Sequence, residues 1–342
     1  MQEYLFFDWI SKNIDQIKSK MLSLEDISNR IGGALKGNPK LLVAGPSEPK
    51  LANERQLALA LSDQYIEEIS LGKAKAALFT KKVDWKELNL EGAIFLNRGK
   101  LALYKVNKLF HFPPKEAKGI SPSAIIDETA KIGKNVNVGP FTSVGANCVI
   151  GDNVNIFSNV TIMDNVTIDN RSVLYPGVRV FENVKIGKNV TCNANVVIGS
   201  DGFSFVSDTG EGIEKVMLAR SDEVKMDLNN YLKVESLGSV EIHDNVEIGA
   251  NCCIDKGTIS NTIIGKGTKI DNLVHIAHNV QLGRNCLICG QVGIAGSAKI
   301  GDRVVLSGQS GVGDNIEVGS DVILAGKTGL SVNAKSNQFL MG

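Results

Sequence analysis

From residue 126 an aliphatic side chain returns every six residues, and few folds can absorb that period. The first run begins Ile126, Ile132, Val138, Val144, Ile150 and reaches Ile198, with Cys192 as its one non-aliphatic member. Ile242, Ile248 and Ile254 follow an interruption, and a four-residue slip leads into a last run from Ile264 to Leu330. The residue after each aliphatic is usually small or acidic, as in Gly133, Gly139, Gly145 and Gly265. Four residues after each aliphatic stands a second inward candidate, usually Val or smaller: Val136, Thr142, Cys148, Val154, Val280. A helix repeats every ~3.6 residues and a strand every two, so a strict six belongs to neither. Three hexads closing a triangular coil explain it, with aliphatic residues pointing inward and small ones letting the chain turn. One coil cannot bury its own apolar face; stacked coils, roughly 4.8 Å apart, share a continuous core. The pattern predicts a mainly β chain, a parallel β-helix of about nine coils.

The period starts late. A chain of 342 residues suggests about two domains, and the repeat divides it into 1–118 and 119–342. Residues 1–118 read as mixed α/β. Ser23 precedes "LEDISNRIGGAL", a helix with Asp26 in the capping-box position and Gly32–Gly33 near its end. Short apolar runs lie at 41–45, 57–61, 76–79 and 93–97, and "DQYIEEI" and "KLALYKVNKLF" have helical spacing. The Pro113–Pro114 pair marks a linker. A small domain joined to a β-prism is more often a substrate-binding attachment than a catalyst.

Acidic and basic side chains number 37 each, and zero net charge argues against binding nucleic acid through bulk electrostatics. No apolar stretch approaches the ~18 residues that span a bilayer. The opening "MQEYLFFDWISKNIDQIKSK" is too mixed in charge for a signal peptide and reads as an amphipathic helix packed on its own domain. The expectation is a cytoplasmic protein without a membrane span. The spacing of Cys286 and Cys289 suggests a metal motif only superficially, because the repeat already explains most of the cysteines. Cys148, Cys252 and Cys286 take the small inward position and Cys192 the aliphatic one, so they read as reduced, buried small hydrophobes.

Residues 199–241 break the repeat, opening with "GSDGFSF". A long insertion in a solenoid is either a tolerated surface loop or part of a binding site. Gly199 and Gly202 around Asp201, with Phe203 and Phe205, favour a ligand-facing loop. The four histidines are His111, His243, His275 and His278, and the last two share one coil, "DNLVHIAHNVQLG". Ile276 points inward there, so both histidines project outward. They are either plain surface residues or site residues in a groove between packed prisms.

The stretch "DNLVHIAHNVQLGRNCLICGQVGIAGSAKIG" (271–301), with "GSDGFSF", "VEIGANCCIDKGT" (246–258) and "SLEDISNRIGGALKGNP", resembles the UDP-3-O-(3-hydroxyacyl)glucosamine N-acyltransferases of lipid A biosynthesis, in the same order over nearly the whole chain. A looser "IAHN" is shared with the sister O-acyltransferases acting on UDP-N-acetylglucosamine, whose β-helix begins almost at once. The resemblance implies a left-handed β-helix, an exception to the usual right-handed crossover, assembled as a homotrimer with sites in clefts between subunits. It implies that the first domain binds a uridine nucleotide. Acyl carrier protein would deliver a 3-hydroxyacyl thioester on its phosphopantetheine arm, with no resident cofactor and no metal, for attack by the glucosamine 2-amine.

His278 matches the family's general base, a role that suits imidazole because it titrates near neutrality. Asp271 matches a companion carboxylate that would orient it. One coil beyond His278 stands Gly296, whose backbone N–H would lie beside the histidine as an oxyanion donor, unless it is an ordinary corner residue. The family also uses a glycine amide here. Tyr65 matches the tyrosine of a uracil-binding trio, while Leu59 stands in place of its aromatic and Ser62 in place of its amide. His275 joins Tyr65 and Ser62 as a substrate-binding expectation. The chain stops at "NQFLMG", where relatives continue into a helical extension that engages the carrier. Lys299, Arg303, Lys327 and Lys335 on the late coils either meet an acidic carrier or are plainly solvated.

Three other readings stay open: a hexapeptide acyltransferase using acyl-CoA on another nucleotide sugar, a β-helical zinc enzyme, and a degenerate binding protein. The zinc reading needs three protein ligands, and this coil has two histidines.

Overall fold

The computed structural model describes residues 21–111, 118–207 and 231–342. The opening amphipathic segment, the Pro113–Pro114 pair and residues 208–230 of the interruption lie outside the described residues. The chain divides into two compact units, Met1–Pro114 and Lys115–Gly342.

The first unit is α/β. Its strands are β1 (Leu22–Ser23), β2 (Ala34–Gly37), β3 (Leu42–Val43), β4 (Gly45–Ser47), β5 (Gln56–Ala60), β6 (Ala76–Phe79) and β7 (Gly92–Phe95), and its helices α1 (Leu24–Ile31), α2 (Asp63–Glu67) and α3 (Gly99–Phe110). A five-stranded sheet runs β2-β7-β6-β5-β4, with β5, β6 and β7 parallel. Helix α1 forms where Leu24, Ile27 and Ile31 repeat at helical spacing, and all three are buried. Ser23 caps it, accepting the Asp26 N–H at 3.0 Å while its hydroxyl donates to the Asp26 carboxylate at 2.8 Å. Gly32 ends it in the left-handed conformation at φ 70°. The helix therefore stops before Ala34–Leu35, and those residues open β2 rather than extend α1.

The second unit is a left-handed parallel β-helix of two-residue strands on three faces. Face I runs from Asn137–Val138 to Phe339–Leu340 in ten strands, face II from Ile125–Ile126 to Gly329–Leu330 in ten, and face III from Lys131–Ile132 to Glu317–Val318 in nine. Each coil visits them in the order I, II, III. Register follows the hexads: Val144 pairs with Ile162 and Ile150 with Ile168. Both inward positions are buried along the core, including Val136, Thr142, Cys148 and Cys192. Burial pushes the Cys192 thiol up to about 12.

The turns are made differently from the sequence expectation. Gly133, Gly139, Gly145 and Gly265 have no left-handed φ. A Cβ on Gly133 would lie 2.7 Å from the Gly151 backbone, and one on Gly265 would lie 2.3 Å from the Gly283 carbonyl oxygen. These glycines let successive coils approach. The left-handed residue sits two places further on and is usually asparagine: Asn135, Asn147, Asn153, Asn165, Asn189, Asn279. Asparagine tolerates this conformation better than other side chains do. Gly177 and Gly267 fill the same position in their hexads.

Both irregularities of the repeat fall on the corner between faces II and III. The long interruption leaves after Ser200 and returns at Val240, so Ile198 pairs with Ile254. The slip at 255–261 bulges from the same corner one coil later. The Leu237 N–H donates to the Thr258 carbonyl at 2.8 Å, tying one bulge to the other. Within the interruption, Phe205–Ser207 pairs with Tyr231–Lys233 as an antiparallel hairpin. Asp201 clips it through Lys233, with Lys256 2.9 Å away, and the two ammonium groups hold its carboxyl below the usual range. Among the described residues, no helix is long and apolar enough to cross a membrane.

Candidate active site

The coil directly beyond the two bulges carries the histidines. Ile276 is fully buried in the strand His275–Ile276 of face II, which leaves His275 outward and sends His278 to the II–III corner. A cavity of about 760 Å³ opens there. Phe203 and Phe205 of the interruption wall one side, His275 and His278 the floor, and Gly296 and Asp314 the following coils.

His278 is held on two flanks. A Cβ on Gly202 would fall 2.8 Å from its Cβ, and one on Gly296 would fall 2.8 Å from its Nε2. Nδ1 lies 3.1 Å from Oδ1 of Asn279. That amide has only one consistent orientation, because its Nδ2 donates to the Ser260 carbonyl at 3.0 Å and its Oδ1 accepts the Thr258 N–H at 3.0 Å. Oδ1 is therefore an acceptor, Nδ1 carries the hydrogen, and in the neutral ring Nε2 presents a bare lone pair beside Gly296. Asn279 and the Ser260 bulge went unrecognised in the sequence, because only the folded slip brings residues about twenty apart together.

The Gly296 N–H has no acceptor among the described residues. At some equivalent corners this amide is used, as where Ala146 N–H donates to Asp164 at 2.8 Å, Lys134 N–H to Asp152 at 2.7 Å and Arg284 N–H to Asp302 at 2.7 Å. Asp314 occupies the corresponding place above Gly296, but no such bond forms.

His275 has a partner the sequence did not suggest. Its Nε2 lies 2.9 Å from Oδ2 of Asp255, whose other oxygen accepts the Ser200 hydroxyl at 3.1 Å. Asp255 is 5 % exposed and is the one buried acidic or basic side chain among the described residues. The hydrogen bond to Asp255 raises the His275 pKa.

Asp271 is not in this cavity. It lies on the I–II corner, at the far end of face II from His278, where its Oδ1 accepts the Asn272 N–H at 2.8 Å. It lines a separate hollow with Leu273, Gln291 and Lys327. Within one chain, Asn279 rather than Asp271 orients His278. In the first unit, Ser62 is exposed at the start of α2 and Tyr65 is half-buried within it. Neither lines a cavity of about 680 Å³ walled by Lys36, Lys82, Trp85 and Asn97, nor one of about 760 Å³ walled by Lys100, Tyr104 and Asn107. Of the four late basic residues, Lys299 pairs with Glu317 at 2.8 Å and Arg303 with Asp321 at 2.6 Å, so two are already committed. No cluster of three His, Cys, Asp or Glu side chains suited to a metal occurs among the described residues.

Known proteins match both units. Residues 120–203 match the GMPPB C-terminal domain and residues 261–296 the bacterial transferase hexapeptide family of six repeats. A Ruegeria pomeroyi UDP-3-O-acylglucosamine N-acyltransferase is 50% identical over 269 residues, 79% of this chain and 74% of that protein. Its Paracoccus denitrificans counterpart is 46% identical over 271 residues, with the same coverage. An Arabidopsis UDP-N-acetylglucosamine acyltransferase of known crystal structure shares the fold, with TM-score 0.56 and 22% identity over 65% of this chain and 71% of that one. At this identity and coverage, the chain belongs to the UDP-3-O-acylglucosamine N-acyltransferase family.

Proposed function

We propose that this chain transfers a 3-hydroxyacyl group from acyl carrier protein to the 2-amine of UDP-3-O-(3-hydroxyacyl)glucosamine. The observation that carries the reading is that His278 Nε2 lies beside Gly296, whose N–H is unused, one coil away. The amine nitrogen attacks the thioester carbonyl carbon, and Nε2 takes its proton. The Gly296 N–H receives the charge that develops on the carbonyl oxygen. As the C–S bond breaks, the imidazolium returns the proton to the leaving thiolate. His275, fixed by Asp255, lines the same cavity and contacts substrate. The first unit holds the nucleotide, Tyr65 offering a ring and Ser62 a hydroxyl. A carrier-protein donor places the reaction in the cytoplasm.

The outer surfaces of the prism support a homotrimer. Face I presents an apolar column, Leu287, Val305, Ile323 and Phe339, with Leu287 49 % and Phe339 62 % exposed. Face II beyond His275 is bare: Gly293, Gly311 and Gly329 stack there, and a Cβ on Gly293 or Gly329 would meet nothing within 4 Å. The chain's own packing does not require those glycines, whereas a neighbour's bulky column on face II does. Face III carries Lys185, Glu241, Lys299 and Glu317 and suits solvent. Two different faces in contact make a head-to-tail interface, which closes into a ring. That ring gathers the I–II corners, with Asp271, around the axis, so we assign the companion role to Asn279.

The test is acyl transfer by wild type, His278→Ala and Gly296→Ala, each checked for intact assembly. We expect His278→Ala to lose about three or more powers of ten in rate, and Gly296→Ala, which drives a methyl into the imidazole, to lose about two. An active His278→Ala protein would refute the assigned base.

A further inference from the structure

We propose that, in the cleft between copies, Lys266 and Arg284 of the neighbouring copy hold the phosphate of a phosphate-bearing substrate at the His278 cavity. The inference rests on the trimer reading above. When face I of one copy packs on face II of the next, the shared I–II corner of each copy points at the axis. Each contact then runs outward and ends where the II–III corner of one copy meets the III–I corner of its neighbour. His278 occupies the first of these corners. A rotation about an axis parallel to the prism keeps coils level, so the neighbour's residues at the height of His278 are those just before and just after its own coil position. On the III–I corner these are Lys266, following the strand Thr262–Ile264, and Arg284, following the strand Gln281–Leu282.

Both cations are exposed, and both border one hollow of about 510 Å³ together with His243. The hollow also holds Lys185 and three acids, Asp169, Glu241 and Asp244, each with a contact of its own, and Asp169 lies 3.9 Å from Lys188. Oδ1 of Asp244 accepts the Lys188 N–H at 2.9 Å, and His243 lies 3.5 Å from Glu241. Neither Lys266 nor Arg284 has a salt-bridge partner among the described residues. Two unpaired cations on adjacent coils match a phosphate, the guanidinium giving two directed N–H donors and the ammonium a point charge. The His278 cavity itself contributes Asp255 and Asp314, so an anionic substrate needs its counter-charge from outside this chain.

The diphosphate of the acceptor and the phosphodiester of the donor's pantetheine arm share this chemistry, and kinetics separates them. In the double variant Lys266→Ala/Arg284→Ala, we expect KM to rise about tenfold or more for one substrate while kcat stays within a few-fold. The substrate affected names the phosphate. Calorimetry with UDP and with 4′-phosphopantetheine reads the same corner without catalysis, and the double variant is expected to lose the heat of one of them. Binding lost in the variant, even from an enzyme inactive in acyl transfer, supports the corner and sinks only the proposed reaction.

Co-expression tests the crossing between copies. Chains carrying His278→Ala are mixed with chains carrying Lys266→Glu/Arg284→Glu, and trimers containing both are purified on two tags. Some interfaces then pair an intact His278 with an intact basic corner, so activity absent from either parent is expected to return. Mixed trimers as inactive as their parents, or a double alanine variant with unchanged affinity for both substrates, overturn the proposal. Circular dichroism and light scattering confirm that each variant folds and assembles.

Discussion

Asp255 is the residue that most separates the cavity from the rest of the prism surface. A carboxylate withdrawn from water is stable only when paired and hydrogen-bonded, and Asp255 is both, through His275 and Ser200. The pairing raises the His275 pKa, so the contribution to stability is full below about pH 6.5, the ordinary histidine value, and is lost as pH rises through the raised one. NMR titration is expected to place His275 above 6.5 in the wild type and to bring it back toward that value in Asp255→Asn. A wild-type His275 titrating at or below 6.5 would dissolve the pairing. Register alone showed that His275 and His278 face outward, because the neighbouring Ile276 must point in. It could not show Asp255, since the slip at 255–261 removes the constant offset that makes other stacked pairs readable.

At the scale of the turn, two residue types divide the work. Glycine after the aliphatic residue is a steric requirement between coils, while asparagine two places later accepts a left-handed backbone. Asn153, at φ 58° on an exposed corner, separates the two effects. Asn153→Gly is expected to leave stability within a few tenths of a kcal/mol, whereas Asn153→Val costs about 1–2 kcal/mol by forcing a β-branched residue into the left-handed region. Denaturant unfolding of both variants reads the difference, and equal losses would mean that backbone strain does not limit this corner. The asparagine column was present in the sequence at the same period as the aliphatic one. Small residues after the aliphatic one recur at that period too, so the sequence alone does not say which position makes the turn.

For the whole molecule, the contrast between faces matters more than any one side chain. On the late coils face III is charged, face I apolar and face II bare, and the proposed trimer rests on that contrast. Replacing Leu287 and Ile323 together by lysine puts two charges into the apolar column without touching the buried core. Light scattering is expected to report monomers, and acyl transfer to fall with the loss of assembly. Trimers that survive both lysines would move the interface to another face.

Period, inward register and the outward histidines were settled by the sequence itself, because a coil that repeats every six residues leaves each position one direction to point. The tertiary structure decided the rest. It put both irregularities on one corner, turned Asn279 toward His278, buried Asp255 beneath His275 and sent Asp271 to a different edge. These are contacts across coils and bulges, where sequence separation stops measuring distance, and the pairing of backbone and side chains in three dimensions alone sets who meets whom.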